Sequence, residues 1–304
     1  MKISVHMITY NHEKYIAKAI ESVLMQKGEF DLELVIGDDV SLDKTREVIL
    51  KYYKKYPEII KLNFHQKNVG PTQNFKSTLE MCTGDYVAIL EGDDFWIDEY
   101  KLNKQLEFLE KNMDYSMCFT KTKFLYEEEQ RYDIQELKHI KNSYKVEELL
   151  KGNFIFHLTC LFRNIDIKDY PQWLWQYKIL DYPMHLLRGT YGKIGFINEV
   201  TSVYRIHNGG LSRNSNKAWW YIQMIGMLDD FNKYTNFRFN KLISTRIGFY
   251  NSYLAVYETN KKRAIQAFKK GLFYNIFSYK IAKKKCKFIL NLVRGKYDEK
   301  NKEF

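Results

Sequence analysis

The stretch Tyr86-Val-Ala-Ile-Leu-Glu-Gly-Asp-Asp-Phe-Trp96 decides the fold. It opens as an apolar run that reads as a buried strand and stops in three acids, Glu91, Asp93 and Asp94. Carboxylates crowded at the end of a buried strand repel one another and lose hydration. A divalent cation offsets both costs, and hard oxygen ligands of this kind suit Mg²⁺ or Mn²⁺. Such cations accompany phosphates, so the cluster points to a nucleoside-diphosphate site.

The same grammar repeats upstream. Residues 2–9 read as a strand ending at Thr9-Tyr10-Asn11, with Asn11 placed to cap a helix that runs to about residue 26. Residues 32–37 form a second strand ending at Asp38-Asp39, and a helix opened by residues 41–45 reaches about Tyr56, stopped by Pro57. Residues 59–64 are a third strand, Asn68-Val-Gly-Pro71 a turn, and residues 72–82 a helix leading into the acidic stretch. Strands alternating with helices predict a wound, mostly parallel α/β sheet. Ligands bind beyond the carboxyl ends of such strands, where all three polar clusters fall. Neither GxGxxG nor GxxxxGK[ST] is present, which counts against a dinucleotide oxidoreductase and a P-loop nucleotidase.

Further on, the pattern predicts a helix over 99–112, a strand over 115–120, a charged surface excursion over 121–144, a helical turn at 146–150 and a strand at 157–162. A helix over 181–191 and two short strands, 193–198 and 200–207, complete the first region. From about residue 217 the periodicity is helical, which places the boundary near Arg213 between a catalytic domain (1–213) and a helical, basic region (214–304).

The chain has 304 residues, 45% of them hydrophobic, enough for a substantial core. Its four cysteines form no CxxC pair, which argues for buried free thiols over a zinc or redox site. The amino terminus lacks the pattern of a signal peptide, and no stretch approaches the roughly 20 apolar residues of a spanning helix. A cytoplasmic protein is the expectation. The net charge of +11 is concentrated: residues 261–296 hold 12 Lys or Arg and no acid, leaving 36 basic against 37 acidic residues elsewhere. Phe268, Phe273, Phe277 and several Ile and Leu interleave these charges, as in a helix lying on an anionic membrane surface. That would make the protein peripheral on the inner face of the cytoplasmic membrane. No nucleic-acid reader module is present, and none is expected as a partner.

Five segments taken in order resemble family 2 glycosyltransferases of the GT-A fold: Ser4-Val-His-Met-Ile-Thr-Tyr-Asn11; Glu33-Leu-Val-Ile-Gly-Asp-Asp-Val-Ser41 with Asp43 and Thr45; Asn68-Val-Gly70 with Asn74; Gly84 through Asp94; and Tyr204-Arg-Ile-His207. The resemblance spans residues 2–213. It implies a GT-A catalytic domain with a C-terminal helical extension, acting as an inverting hexosyltransferase. The implied donor is a UDP-sugar and the implied acceptor a glycan or glycolipid precursor.

By that resemblance Thr9, Tyr10, Asn11 and Asp39 hold the nucleoside, with Asp39 reading the base and Asn68 and Asn74 beside it. Glu91, Gly92, Asp93 and Asp94 occupy the DxD region. Asp93 reaches ribose or metal, and Asp94 ligates Mn²⁺ or Mg²⁺. Arg205 lies near the diphosphate, and His207 is a further metal ligand. Asp181, in Leu180-Asp-Tyr-Pro183, matches the family's general base and sits naturally at a helix start, where Pro is tolerated. Asn153, His157 and Thr159 resemble a segment lining the sugar pocket. Trp96, Trp173 and Trp175 are candidates to stack on sugar rings, with core packing the alternative. Gln172-Trp-Leu-Trp175 does not match the QxxRW of processive members, which favours single addition. Two other readings stay open: a GT-A module that binds glycan or membrane without transfer, and a nucleotidyltransferase, which also joins a wound sheet to metal-binding acids.

Overall fold

Strand β1 (Lys2–Thr9) is buried along nearly its whole length, with Ile3, Val5 and Met7 on one face and Ser4 and His6 on the other inaccessible to solvent. A strand covered on both faces has to lie inside a sheet layered between helices. The computed structural model of the protein describes residues 1–137, 140–209, 216–258 and 260–274. They fall into two compact units, Met1–Arg213 and Asn214–Phe304.

In the first unit α1 (Ile16–Leu24) follows β1 and lays Ile16, Ala19, Ile20 and Val23 on the sheet. Ile16, Ile20 and Val23 each contribute roughly 1.5–3 kcal/mol by leaving water, and Ala19 less. Then come β2 (Asp31–Asp38), α2 (Thr45–Lys55), β3 (Ile60–Phe64), α3 (Pro71–Glu80) and β4 (Tyr86–Ile89). Pro71 opens α3, where its missing N–H costs nothing, and Gly70 precedes it at φ 82°. After β5 (Phe95–Trp96) and α4 (Lys101–Lys111), the chain forms β6 (Tyr115–Tyr126), β7 (Arg131–Ile134), β8 (Ser143–Tyr144), α5 (Val146–Leu150), β9 (Cys160–Arg163), α6 (Asp181–Tyr191) and β10 (Lys193–Ile206).

The sheet runs β3-β2-β1-β4-β9-β6-β10-β5, with β7 on β6 and β8 on β10. β3, β2, β1 and β4 are parallel, whereas β9 is antiparallel to both β4 and β6. The chain winds outward from β1 through β2 and β3, then returns to pair β4 on the other side of β1. That reversal opens a crevice at the carboxyl ends of β1 and β4. Thr9 and the acidic stretch flank it.

Several expectations are corrected. Asn11 does not cap α1: the helix begins at Ile16 after Tyr15, and Asn11 holds φ 58° while its side chain accepts from the Leu42 N–H. The excursion over 121–144 is partly sheet, because β6 continues to Tyr126 and pairs with β7 in a hairpin. Residues 157–159 form a 3₁₀ turn rather than strand. The two short strands over 193–207 are one, β10, broken by register shifts near Phe196 and Val200. Trp96 is 1% exposed and donates to the Leu158 carbonyl, so it is core and not a stacking platform.

The second unit contains α7 (Lys217–Tyr234), α8 (Asn240–Tyr257) and α9 (Lys261–Tyr274). Asn216 caps α7 by accepting from the Ala218 N–H at 2.8 Å. Ala255, Ala264 and Ala267 let α8 and α9 approach closely. Residues 275–296 of the basic segment lie outside the described residues. No helix among the described residues is long and apolar enough to cross a membrane.

Candidate active site

The acidic stretch turns tightly as β4 ends. Gly92 N–H donates to the Ile8 carbonyl and Asp94 N–H to the Glu91 carbonyl. A side chain at Gly92 would put its Cβ 2.8 Å from Thr9 Oγ1, so only glycine lets the turn press against β1. Asp94 points inward: it is 2% exposed, and its Oδ1 accepts from the Arg205 N–H at 2.7 Å. Burial, then the neighbouring Asp93 and Glu91 carboxylates, push its pKa well above the usual range. Asp93 Oδ2 lies 3.1 Å from His207 Nε2 and 3.7 Å from His12 Nε2. Burial alone would raise Asp93, but the two imidazoles outweigh it and hold the carboxyl below the usual range.

Arg205 ties this turn to β10. Its Nε donates to the Asp93 carbonyl, its Nη1 to Glu127, and its guanidinium lies over the rings of Tyr15 and Phe95. Asp93, Asp94, Arg205 and His207 are therefore brought together. The residues present make a donor set of two carboxylates and an imidazole, a chemistry that Mn²⁺ accepts. Among the described residues, no group of three or more His, Cys, Asp or Glu is already arranged around a metal position.

Across the crevice Thr9 is buried, and its hydroxyl has no hydrogen-bond partner among the described residues. Tyr10 is 42% exposed at the rim. Asn11 crosses to the next loop, its N–H donating to Ser41 Oγ. Asp38 is held by Ser41 and Arg46. The Asp39 carboxylate accepts from the Val69 and Gly70 N–H groups at 2.7 and 2.8 Å, and Asn68 donates to the Asp39 carbonyl. The next residue, Val40, has φ 65°, a conformation that a β-branched side chain rarely holds and that fixes the exit from Asp39. Asn74 turns into the protein instead, donating to the Gly37 carbonyl with its oxygen beside His65.

A third wall comes from the middle of the chain. Glu91 reaches toward His157, 3.6 Å away and stacked on Phe75. Asp181 opens α6, half-buried, and accepts from Asn153 Nδ2 at 3.1 Å. Burial raises its pKa; His157 and the Tyr182 N–H offset part of this, and Glu91 adds to it. Thr159 is buried, donating to the Phe156 carbonyl. Trp175 packs under Lys76.

Three residues here were not among those singled out from sequence. His12, beside Asp93, directly follows the polar end of β1, a position that was itself a signal. Glu127, the partner of Arg205, carried none. His185 stands four residues after Asp181, on the same face of α6.

A wound sheet with acids at its strand ends and a further carboxylate opening α6 is an arrangement suited to a group-transfer enzyme. The profile of Glycosyl transferase family 2 matches residues 4–170, and the chain belongs to that family. It is 31% identical over 234 residues to the putative teichuronic acid biosynthesis glycosyltransferase TuaG of Bacillus subtilis, covering 72% of this chain and 86% of the relative. An uncharacterized protein of Mycobacterium tuberculosis is 30% identical over 229 residues, 74% of this chain but only 65% of that protein's length. The fold is GT-A. Superposition on S. aureus TarS 1-349 crystallised with UDP-GlcNAc gives a TM-score of 0.64 at 16% identity, over 97% of this chain and 92% of that one. The mannosyltransferase PcManGT from Pyrobaculum calidifontis, in complex with GDP-Man and Mn²⁺, gives 0.56 at 12% identity, over 99% and 88%.

Proposed function

We propose that the protein transfers a hexose or N-acetylhexosamine from a UDP-sugar to a hydroxyl of a cell-surface glycan or of its lipid-linked precursor, with inversion and with Asp181 as general base. The observation that carries this reading is the Asp181 carboxylate. It stands at a helix start with a raised pKa, held by a neutral amide, and Glu91 of the acidic turn acts on it electrostatically. A base for an acceptor hydroxyl works best when its pKa lies closer to the working pH than an ordinary carboxylate's. The UDP-GlcNAc of the TarS complex supports a UDP-sugar donor, and the GDP-Man of the PcManGT complex supports a nucleotide sugar in general.

In this reading Thr9, Tyr10, Asn11 and Asp39 receive the nucleoside, and Asn68 and Asn74 shape the loop beside it. Asp93 and Asp94, with His207, would hold Mn²⁺ or Mg²⁺, and the bound cation supplies positive charge to the departing diphosphate. Arg205 holds the acidic turn in place and adds a fixed positive charge. Asp181 accepts the proton of the acceptor hydroxyl as its oxygen attacks the anomeric carbon from the face opposite the diphosphate. The bond from that carbon to the phosphate oxygen breaks, and the configuration inverts.

The test is Asp181→Asn, assayed with a panel of UDP-sugars and by UDP titration. Turnover should vanish while UDP binding persists. Wild-type turnover in the variant, or in the presence of EDTA, would remove the base or the metal from the reading. UDP affinity with no turnover by the wild type on any donor would favour a non-catalytic module. The basic segment 261–296 supplies attraction to an anionic membrane, so the protein should float with phosphatidylglycerol vesicles and not with phosphatidylcholine ones. Equal recovery from both would discard that attachment.

A further inference from the structure

We propose that Asn153 and His185 are positioning residues for the base: a chain of neutral hydrogen bonds from His185 through Asn153 fixes the rotation of the Asp181 carboxylate. The proposal rests on the reading of Asp181 as general base and extends it to two side chains outside the reacting atoms.

The geometry determines each proton in turn. Asn153 lies at the surface, where a free amide would rotate. Its oxygen is pinned, because the Ile155 N–H, which can only donate, points at Asn153 Oδ1 from 3.2 Å. That leaves the amide nitrogen facing Asp181 Oδ2 at 3.1 Å. His185 Nδ1 approaches the same Asn153 Oδ1 at 3.3 Å, so this ring nitrogen has to carry the hydrogen. His185 Nε2 then turns its lone pair to Cys160 Sγ, 3.5 Å away, whose thiol also has the Phe156 carbonyl as an acceptor at 3.6 Å. His185 is 2% exposed, and burial keeps its imidazole well below its ordinary pKa, so the ring stays neutral.

Neutrality matters to the chemistry. An Arg or Lys donor beside Asp181 would aim the carboxylate equally well but would depress its pKa and blunt it as a base. An amide aims it at little cost in basicity. The charged or titratable groups acting on Asp181 are His157 and Glu91, and those facing His185 are His157 and the Cys160 thiol.

The full-length protein tests this in two ways. Long-range ¹H–¹⁵N spectra of the imidazoles should show His185 neutral, with its hydrogen on Nδ1, from about pH 5 to 8. A hydrogen on Nε2, or a charged ring, overturns the proposal without any substrate being needed. With UDP-N-acetylglucosamine hydrolysis as the probe, His185→Leu should lower kcat about ten- to hundredfold, with KM and UDP affinity unchanged. His185→Asn, whose amide nitrogen replaces Nδ1, should stay within about threefold of wild type. Asn153→Asp should move the acid limb of the kcat profile to higher pH, because a second carboxylate beside Asp181 raises its pKa. Equal kcat in wild type and His185→Leu, or equal loss in the Leu and Asn variants, assigns His185 to packing alone and overturns the proposal. Asp181→Asn separates the two readings. If that variant turns over normally the base assignment fails, whereas if it is dead and His185→Leu is fully active only the positioning role fails.

Discussion

The backbone N–H of Arg205 donates to Asp94 Oδ1 at 2.7 Å, joining residues 111 apart in the chain. The Arg205 side chain adds a second tie to the same turn through the Asp93 carbonyl. Strand β10 thereby holds the acidic turn by both main chain and side chain. Only the side-chain tie is open to mutation.

Arg205→Ala should lower the unfolding free energy by about 1–3 kcal/mol, because the Asp93 carbonyl and Glu127 lose a charged donor. UDP affinity should fall about tenfold, which corresponds to about 1.4 kcal/mol. Denaturant titration and calorimetry with UDP measure the two. Unchanged values of both would show that the main-chain tie suffices.

The raised pKa of Asp181 sets a sign for the pH dependence of turnover. The base works as the carboxylate, so kcat falls as pH drops through its raised pKa. The acid limb should therefore lie above the usual carboxylate value of about 4. A limb at or below that value would contradict the environment of Asp181.

At the opposite ends of the strands Glu33 is buried beneath Lys2 and Lys61, and also accepts from Ser4 and the Thr83 N–H. Burial alone would raise its pKa, but these partners outweigh burial and bring it down to about 2. A depressed carboxylate stabilises the fold above its unfolded pKa of about 4.5, and that contribution is lost as pH falls toward 2. Glu33→Gln should cost about 2–3 kcal/mol at pH 7 and almost nothing near pH 2. Urea melts of both proteins across that range check it, and a cost independent of pH would count against the ion network.

Lys101 is fully buried against Trp96, with Gln105 as its hydrogen-bond partner, and burial lowers its pKa to about 8. The unfolded chain holds this proton up to about 10.5, so stability should rise with pH between those values. Lys101→Met should add about 1–3 kcal/mol at pH 7 by removing a buried charge. A melting temperature equal to or below wild type would refute this.

Sequence periodicity read the first four strands, α5 and α6 closely, because the strands are short and largely apolar and each element is bounded by polar or breaking residues. It failed where tertiary pairing overrides composition. β6 runs on through Lys121 and Lys123 because β10 and β7 hold it on both sides, and nothing local announces that. The register shifts in β10 read as a break between two strands. Asn11 looked like a helix cap because Asn commonly is one; its left-handed backbone turns it to the neighbouring loop. The carboxylates of the site were legible because acids at the ends of buried strands are conspicuous. Glu127 and His185 were not, since a partner across the sheet and a buried imidazole on a helix look ordinary in sequence.

The parallel pairing of β6 with β10 has a consequence for biosynthesis. A ribosome that has released only the first 190 residues has delivered every acid of the crevice, but not the strand that pairs with β5, β6 and β8. Asp94 then lacks its main-chain donor and Asp93 lacks His207. The crevice is completed only when residues 193–207 have emerged, so premature termination before that point leaves the acids without a functioning pocket.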